Sequence, residues 1–248
     1  MYGQIPPPSL LPSYDPVFAN NSWEIIAECS ELGIAKDIWS ADGSCTKALP
    51  LSTGENLSVE IIDFDHDDLA DGSGKAGVSF GILNVMKDFY QMDSGKCSNY
   101  LSSELHALLN GQIFDSLPSE LKPLVKTVNK KTAIHPSGEI SVDPMKLFVF
   151  SEREFMGEKT IENDGYSNNS YPGEGHRYQR YYDETTALRY LPEGSIYPGS
   201  ACCYWTRSHE KDGVYSSFCC TSDYDGKYDI QTREAPSDFV ALVFGFCI

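Results

Sequence analysis

Apolar residues recur at helical spacing early in the chain and at strand spacing through most of the rest. From Trp23 onward, Ile25, Ile26, Cys29 and Leu32 fall three or four apart, which predicts a helix over residues 23–32. Asn21 or Ser22 supplies its cap and Gly33 its stop. Asp42-Gly43 predicts the turn of a hairpin. Residues 57–64 and 77–85 read as strands, separated by the polar segment DHDDLADGSGKAG. Ser102 or Ser103 opens a short helix carrying Leu105, Leu108 and Leu109. Leu117-Pro118 opens another, because proline suits the first helical position. Residues 125–128 and 147–150 are again β-prone, and Ser151 then caps a helical turn containing Glu152 and Glu154. The last third predicts strands at 203–206, 214–220, 228–232 and 239–248. In the final one Val240, Leu242, Phe244, Phe246 and Ile248 alternate with smaller residues. The sum is an α+β chain.

Two stretches break the pattern. Residues 1–20 hold Pro6, Pro7, Pro8, Pro12 and Pro16, which fix φ and remove amide donors. They predict an extended arm ahead of a domain over 21–248, and such an arm suits packing on a neighbouring subunit. Residues 157–200 are rich in Gly, Asn, Ser, Tyr and Pro, and only 184–191 looks helical. Connections that long are usually functional.

The chain has 248 residues and a formal charge of −17, with 36 acidic against 19 basic residues. That sign repels phosphate backbones, and no Lys/Arg stripe overrides it, so nucleic acid is excluded as the expected partner. No apolar run approaches the ~20 residues of a membrane span. The N-terminal MYGQIPPPSLLPSYDP lacks a basic start, an apolar run and a small-residue cleavage site, so synthesis in the host cytoplasm without signal-peptide export is expected. The eight cysteines, with no C-x-x-C, are then expected as free and mostly buried thiols. The pairs Cys202-Cys203 and Cys219-Cys220 point to opposite faces of a strand and cannot share one metal.

Candidate chemistry is sparse. Gly77-Val78-Ser79-Phe80-Gly81 matches the nucleophile elbow G-x-S-x-G, but the apolar run continues through Ser79 where that motif needs a sharp turn. The five histidines at 66, 106, 135, 176 and 209 select no triad. Asp63, Asp65 and Asp67 lie in the densest acidic cluster, and alternation would put them on one side. An EF-hand is ruled out, since Asp68 stands where the loop needs Gly and Gly74 where it needs Glu. The cofactor expectation is none, with a divalent cation such as calcium at those three carboxylates as the alternative. Glu152 and Glu154 read as first-turn acids rather than a glycosidase pair.

Several segments taken together resemble a known family. They are SWEIIAECSELGIAKDIWS (22–40), VEIIDFDHDD (59–68), LVKTVNKKT (124–132), LFVFSEREFMGE (147–158), YWTRS (204–208) and FVALVFGFCI (239–248). In this order they are similar to an uncharacterised domain family of prophage structural genes and gut bacterial surface proteins. That family resembles the C-type-lectin-like fold shared by formylglycine-generating enzymes and by the variable, Asn-rich proteins of diversity-generating retroelements. The resemblance implies a twisted antiparallel sheet with short helices and long irregular loops, and pairing of the terminal strands. It also implies an ending of aromatic strand, Arg-Ser, variable hairpin and closing strand. Trp205 and Arg207 fill the first part, 208–237 the variable part and 239–248 the close. His209 stands where Pro is expected, no Asn-rich variable stretch is present, and the copper-binding cysteines of the formylglycine enzymes have no counterpart.

The function expected is binding without catalysis, by a phage virion protein of the tail, fibre or capsid decoration. It would present loops to a host-surface ligand, a glycan above all, and join other virion proteins through its arm as a homo-oligomer. The alternatives are a purely structural decoration or connector protein, and a carbohydrate-active or sulfatase-modifying enzyme. The loops at 163–182 and 208–237 combine Tyr with Ser, Gly and Asn, the make-up of an adaptable contact surface. Tyr181, Tyr182, Arg207, His209, Tyr224, Asp225 and Tyr228 are the expected ligand contacts, with Arg177 and Arg180 as further donors. Trp23, Trp39 and Trp205 are expected in the core.

Overall fold

The Ser22 hydroxyl accepts the Ile25 N–H at 3.3 Å and starts helix α1 (Trp23–Glu31). Gly33 stops it by adopting a φ of +69°, which costs a residue without Cβ nothing. Its inner face buries Trp23, Ile26, Ala27, Cys29 and Ser30. In this computed structural model the described residues are 11–95, 97, 99–157, 171–187, 189–191, 199–209, 217–222, 228–234 and 239–248, with backbone alone at 156, 184, 185, 217–222 and 228–234. A short helix, α2 (Ala35–Ile38), follows α1.

The first hairpin pairs β1 (Thr46–Pro50) with β2 (Asn56–Phe64). It turns at residues 51–55, where the Leu51 N–H reaches the Glu55 carbonyl at 2.8 Å, and not at Asp42-Gly43 as expected. Asp42 instead closes a local turn by accepting the Ser44 N–H and hydroxyl. That side-chain chemistry makes a turn wherever it occurs and needs two flanking strands to become a hairpin. Here α2 precedes it.

Ser103 caps α3 (Glu104–Leu108), which continues through a π-helical turn at Leu109–Ile113 into α4 (Phe114–Ser116). The helix expected after Pro118 is absent: the Leu121 and Lys122 N–H groups both reach the Pro118 carbonyl in a run of turns. Ser151 caps α5 (Glu152–Met156), as expected, in a full capping box with Glu154.

A five-stranded antiparallel sheet forms the centre, in the order β1-β2-β3-β10-β6, with β3 (Val78–Ile82), β6 (Leu147–Phe148) and β10 (Gly245–Cys247). β4 (Val128–Ile134) and β5 (Glu139–Met145) make a separate ribbon, and β7 (Tyr204–His209), β8 (Ser217–Ser222) and β9 (Tyr228–Glu234) a three-stranded sheet. The terminal strand therefore lies between β3 and β6 and does not pair with β1. Only Gly245–Cys247 of the expected strand over 239–248 is laddered; Val240 and Ala241 make single bridges to Tyr90 and Tyr204. The interleaved smaller residues Ala241, Val243 and Cys247 are as buried as the large ones, because both faces are covered.

The two faces are built differently. On one, Phe80 and Phe246 stand opposite each other and pack with Phe18 and Trp23, ring centroids 5.1–6.0 Å from Phe80. On the other, Gly81 and Gly245 are register partners. A Cβ on Gly245 would meet Phe148 and Phe150 at 2.7 Å, and one on Gly81 the Tyr181 hydroxyl at 2.9 Å. The paired glycines let an aromatic layer of Phe148, Phe150, Phe155 and Tyr181 rest directly on the strand backbone. A bulge in β2 between Ile61 and Asp63 buries both Ile61 and Ile62.

Trp23, Trp39 and Trp205 are all in the core, and the Trp205 indole donates to the Tyr90 carbonyl at 2.7 Å. Residues 11–20 depart from the expected arm. Phe18 is 3% exposed and meets Trp39 edge-on, Tyr14 approaches the same ring, and the Asn21 amide ties the Asp15, Val17 and Phe18 carbonyls. Prolines 12 and 16 exclude a helix there but leave Phe18 free to enter the core. Residues 1–10, which hold the other three prolines, lie outside the described residues. Cys29, Cys45, Cys97 and Cys247 are buried free thiols, and Cys202 and Cys203 half-buried ones. The Cys219 and Cys220 side chains lie outside the description. Among the described residues no helix is long and apolar enough to cross a membrane.

Candidate functional site

Alternation along β4 turns Val128, Lys130 and Thr132 inward and Lys131 outward. Lys130 thereby enters the interior with its ammonium 4.0 Å from the centre of the Phe148 ring. Its three protons are all engaged: Asp67 at 2.7 Å, Glu154 at 2.5 Å and the Tyr178 hydroxyl at 2.7 Å. Glu154 is the capping-box residue of α5, so one carboxylate closes the helix and pairs with Lys130. The same group receives the Arg207 guanidinium in a two-point contact at 2.6 and 2.8 Å. Arg207 spends its remaining donors on the Val149, Lys131 and Glu174 carbonyls.

A third carboxylate completes the cluster. Glu174 accepts the Ala133 N–H at 2.9 Å and the Ser208 hydroxyl, while Ser208 accepts the Glu152 N–H at 2.8 Å. The Ser151 hydroxyl donates to the Glu174 carbonyl. Asp67, Lys130, Glu154, Glu174 and Arg207 are thus gathered from distant parts of the chain, each at most 5% exposed.

Burial pulls these groups toward neutrality, and their partners decide the result. Desolvation alone would raise Asp67, but Lys130, His66 and Ser79 hold its carboxyl well below the ordinary range. Glu154 is likewise held down, desolvation being outweighed by Arg207 and Lys130. For Glu174 desolvation wins over the Ala133, Ser208 and Arg207 contacts and lifts the carboxyl to about 7. Two anions therefore face two cations, and the third acid titrates near neutrality. Desolvation and then Asp67 and Glu154 push the Tyr178 phenol far up, so it stays a donor. A polar cavity of about 150 Å³ reaches this cluster between His66, Lys75, Lys131 and His176.

Chemically, the arrangement holds geometry: Asp67 and Glu154 are committed to Lys130 and Arg207, and Glu174 to the Ala133 amide and the Ser208 hydroxyl. Ser79 lies in the middle of β3 and donates to Asp67 at 2.7 Å, in an uninterrupted strand and not an elbow. What the cluster positions are chain segments. Gly157 and Tyr171 flank residues 158–170, and Arg153 of α5 donates to the Tyr171 carbonyl at 3.3 Å. Ser208 and His209, at the end of β7, precede 210–216. The Glu152–Ser208–Glu174 contacts bring those ends together. Described residues at the edges of the two stretches singled out for their tyrosines are therefore joined to one another.

The individual contact residues fare differently from expectation. Tyr181 is fully buried among Phe150 and Phe155, Arg207 is fully buried on Glu154, and His209 is 2% exposed and stacked on His135. All three are interior residues and not surface contacts, because their polar atoms sit where the chain crosses itself. Tyr171 and Tyr178 are packed in too. Tyr182 is 70% exposed, with the Arg177 guanidinium 5.3 Å over its ring. Arg180 pairs with buried Glu60 at 2.6 Å. Tyr224 and Asp225 lie outside the described residues, and of Tyr228 only the backbone, in β9, is described.

The acidic trio is not brought together either. Asp63 pairs with His66 at 2.8 Å and accepts the Gln179 N–H, Asp65 turns outward at φ +50° to Lys36, and Asp67 turns inward. The positive φ breaks the alternation that would have aligned them. Among the described residues no three His, Cys, Asp or Glu side chains are grouped to hold a metal ion. Lys130, Glu154 and Glu174 were missed as partners; the inward phase of VNKKTA was the one available signal, and it marks Lys130 alone. Comparison with protein-family models, with curated proteins and with solved structures finds no match to this chain.

Proposed function

We propose that this chain is a non-catalytic, virion-associated binding protein of C-type-lectin-like fold that presents its irregular segments to a host-surface ligand, a glycan first of all. The carrying observation is the shared base: α5, the Glu174 segment and the end of β7 are held together by Glu154, Arg207, Ser208 and Glu174, at the described residues that flank 158–170 and 210–216 in the chain. A preorganised support for variable connections is the arrangement a binding surface needs, since it limits the entropy lost on contact. Exposed Tyr182 beside Arg177 extends that surface with an aromatic face and a cation. The mixed, mostly antiparallel sheets with short helices support the fold reading, and the central β10 departs from its terminal-strand pairing. The test compares Tyr182→Ala and the double variant Tyr224→Ala/Asp225→Ala with wild type for particle adsorption to host cells, alongside melting temperature. At least one variant should keep its melting temperature and lose most adsorption. Full adsorption by both stable variants would leave a structural virion role in its place.

A further inference from the structure

A second cavity, of about 360 Å³, lies on elements that take no part in the ion cluster. It opens between the β1–β2 turn, residues 86–90 and the π-helical turn Leu109–Ile113. Its volume falls in the range of small-ligand pockets, and π-helical turns concentrate at functional sites. Leu51, Met86 and Ile113 supply buried apolar walls. Glu55, Asp88 and Tyr90 line it as well, and Lys87 is the one basic residue on that lining.

The charge on this lining is unbalanced. The Lys87 N–H donates to Glu55 Oε1 at 2.5 Å and fixes the carboxylate at the wall. Desolvation raises the Glu55 carboxyl, the Lys87 amide hydrogen bond takes back part of that rise, and Asp88 adds to it. Tyr90 is pushed up to about 12 by desolvation and then by Asp88 and Glu55. Glu55 and Tyr90 thus sit in a desolvated wall where the neighbouring carboxylates add to the effect of burial, and Lys87 offsets only part of this at Glu55. An anionic ligand would add to the charge of those carboxylates, and a neutral one would leave it in place. A compact ammonium can be shared between carboxylates on two different segments, which a planar guanidinium does less well.

We propose that this cavity binds a primary ammonium group on a short alkyl stem, the ammonium between Glu55 and Asp88 and the stem against Leu51, Met86 and Ile113. The same chemistry is offered by a free alkylamine and by a lysine side chain of a partner. The site is separate from the loop surface and stands whether or not that surface binds a glycan.

The experiment titrates the full chain with n-pentylammonium, with pentan-1-ol and pentanoate as stem controls and Nα-acetyl-lysine methylamide as the side-chain probe, by calorimetry or NMR shifts. The ammonium should bind about tenfold or more tighter than the alcohol. Glu55→Gln and Asp88→Asn should each weaken it about three- to tenfold at unchanged melting temperature. Because Asp88 is exposed, its variant tests the idea even if Glu55→Gln were to disturb the turn. Binding of the lysine amide as well assigns the site to a partner's side chain; binding of pentylammonium alone assigns it to a free amine. Equal affinity for ammonium and alcohol, or no loss in either variant, overturns the proposal.

Discussion

Glu174 is the residue whose protonation matters most near neutral pH. Its carboxyl sits at about 7 in the folded chain against 4.5 ordinarily, chiefly through desolvation. A raised carboxyl favours the folded state fully below the ordinary value, and that advantage is lost as pH rises through the folded one. Between about pH 4.5 and 7 the loss amounts to about 3 kcal/mol. Asp67 and Glu154 run the other way: held low, they contribute stability above their ordinary values and lose it in acid. Melting should therefore peak near pH 5 and fall by roughly 6–12 °C toward pH 8. In Glu174→Gln, which mimics the protonated acid, this fall should largely disappear; an equal fall in both proteins would contradict it. Arg207→Ala strands Glu154 with half its compensation and should cost about 3–5 kcal/mol, measured by urea unfolding. Such roles are barely legible in sequence. Arg207 read as a ligand donor because a buried arginine is recognisable only once Glu154, 53 positions away, is known to meet it.

Elements were far easier to read than their partners. The Ser22 and Ser151 caps, the Ser103 start of α3 and the β2 and β3 strands follow from local periodicity and side-chain chemistry. Asp42-Gly43 and Leu117-Pro118 misled for a shared reason: both are true local signals whose outcome depends on what flanks them. The N-terminal segment misled by composition, its prolines outweighing Tyr14 and Phe18. Phe18→Ala should cost about 3–5 kcal/mol in urea unfolding, since Phe18 contacts both Trp39 and Phe80. Deleting residues 2–10 should leave the melting temperature within a degree or so of wild type, and a large drop would extend the core into that segment. Ser151→Ala removes the α5 cap and the bond to the Glu174 carbonyl together, so its cost should reach about 2 kcal/mol, the upper end for a cap.

At the scale of the molecule, burial also governs the thiols. Desolvation raises Cys29 to about 11, with Glu28 adding, and Cys202 to about 12, with Cys203 adding; Cys247 is pushed up by burial and then by Asp67. Thiolate, not thiol, is the reactive form, so a disulfide-exchange reagent should label Cys29, Cys202 and Cys247 slowly in the native chain. In denaturant without reductant it should count all eight cysteines, and two or more missing would reveal a disulfide. The overall α+β make-up was legible in the sequence; the strand order was not, because register partners such as Phe80 and Phe246 lie 166 positions apart. That order has a consequence in time. Synthesis delivers β3 and β6 long before the strand that fits between them, so each emerges with an unpaired, apolar edge. Until β10 arrives those edges can pair with another chain as readily as with their own. Loop-closure entropy makes the arrival slow. The hazard in producing this protein is therefore expected before completion: yield should respond to temperature and chaperones during synthesis far more than to the stability of the finished fold.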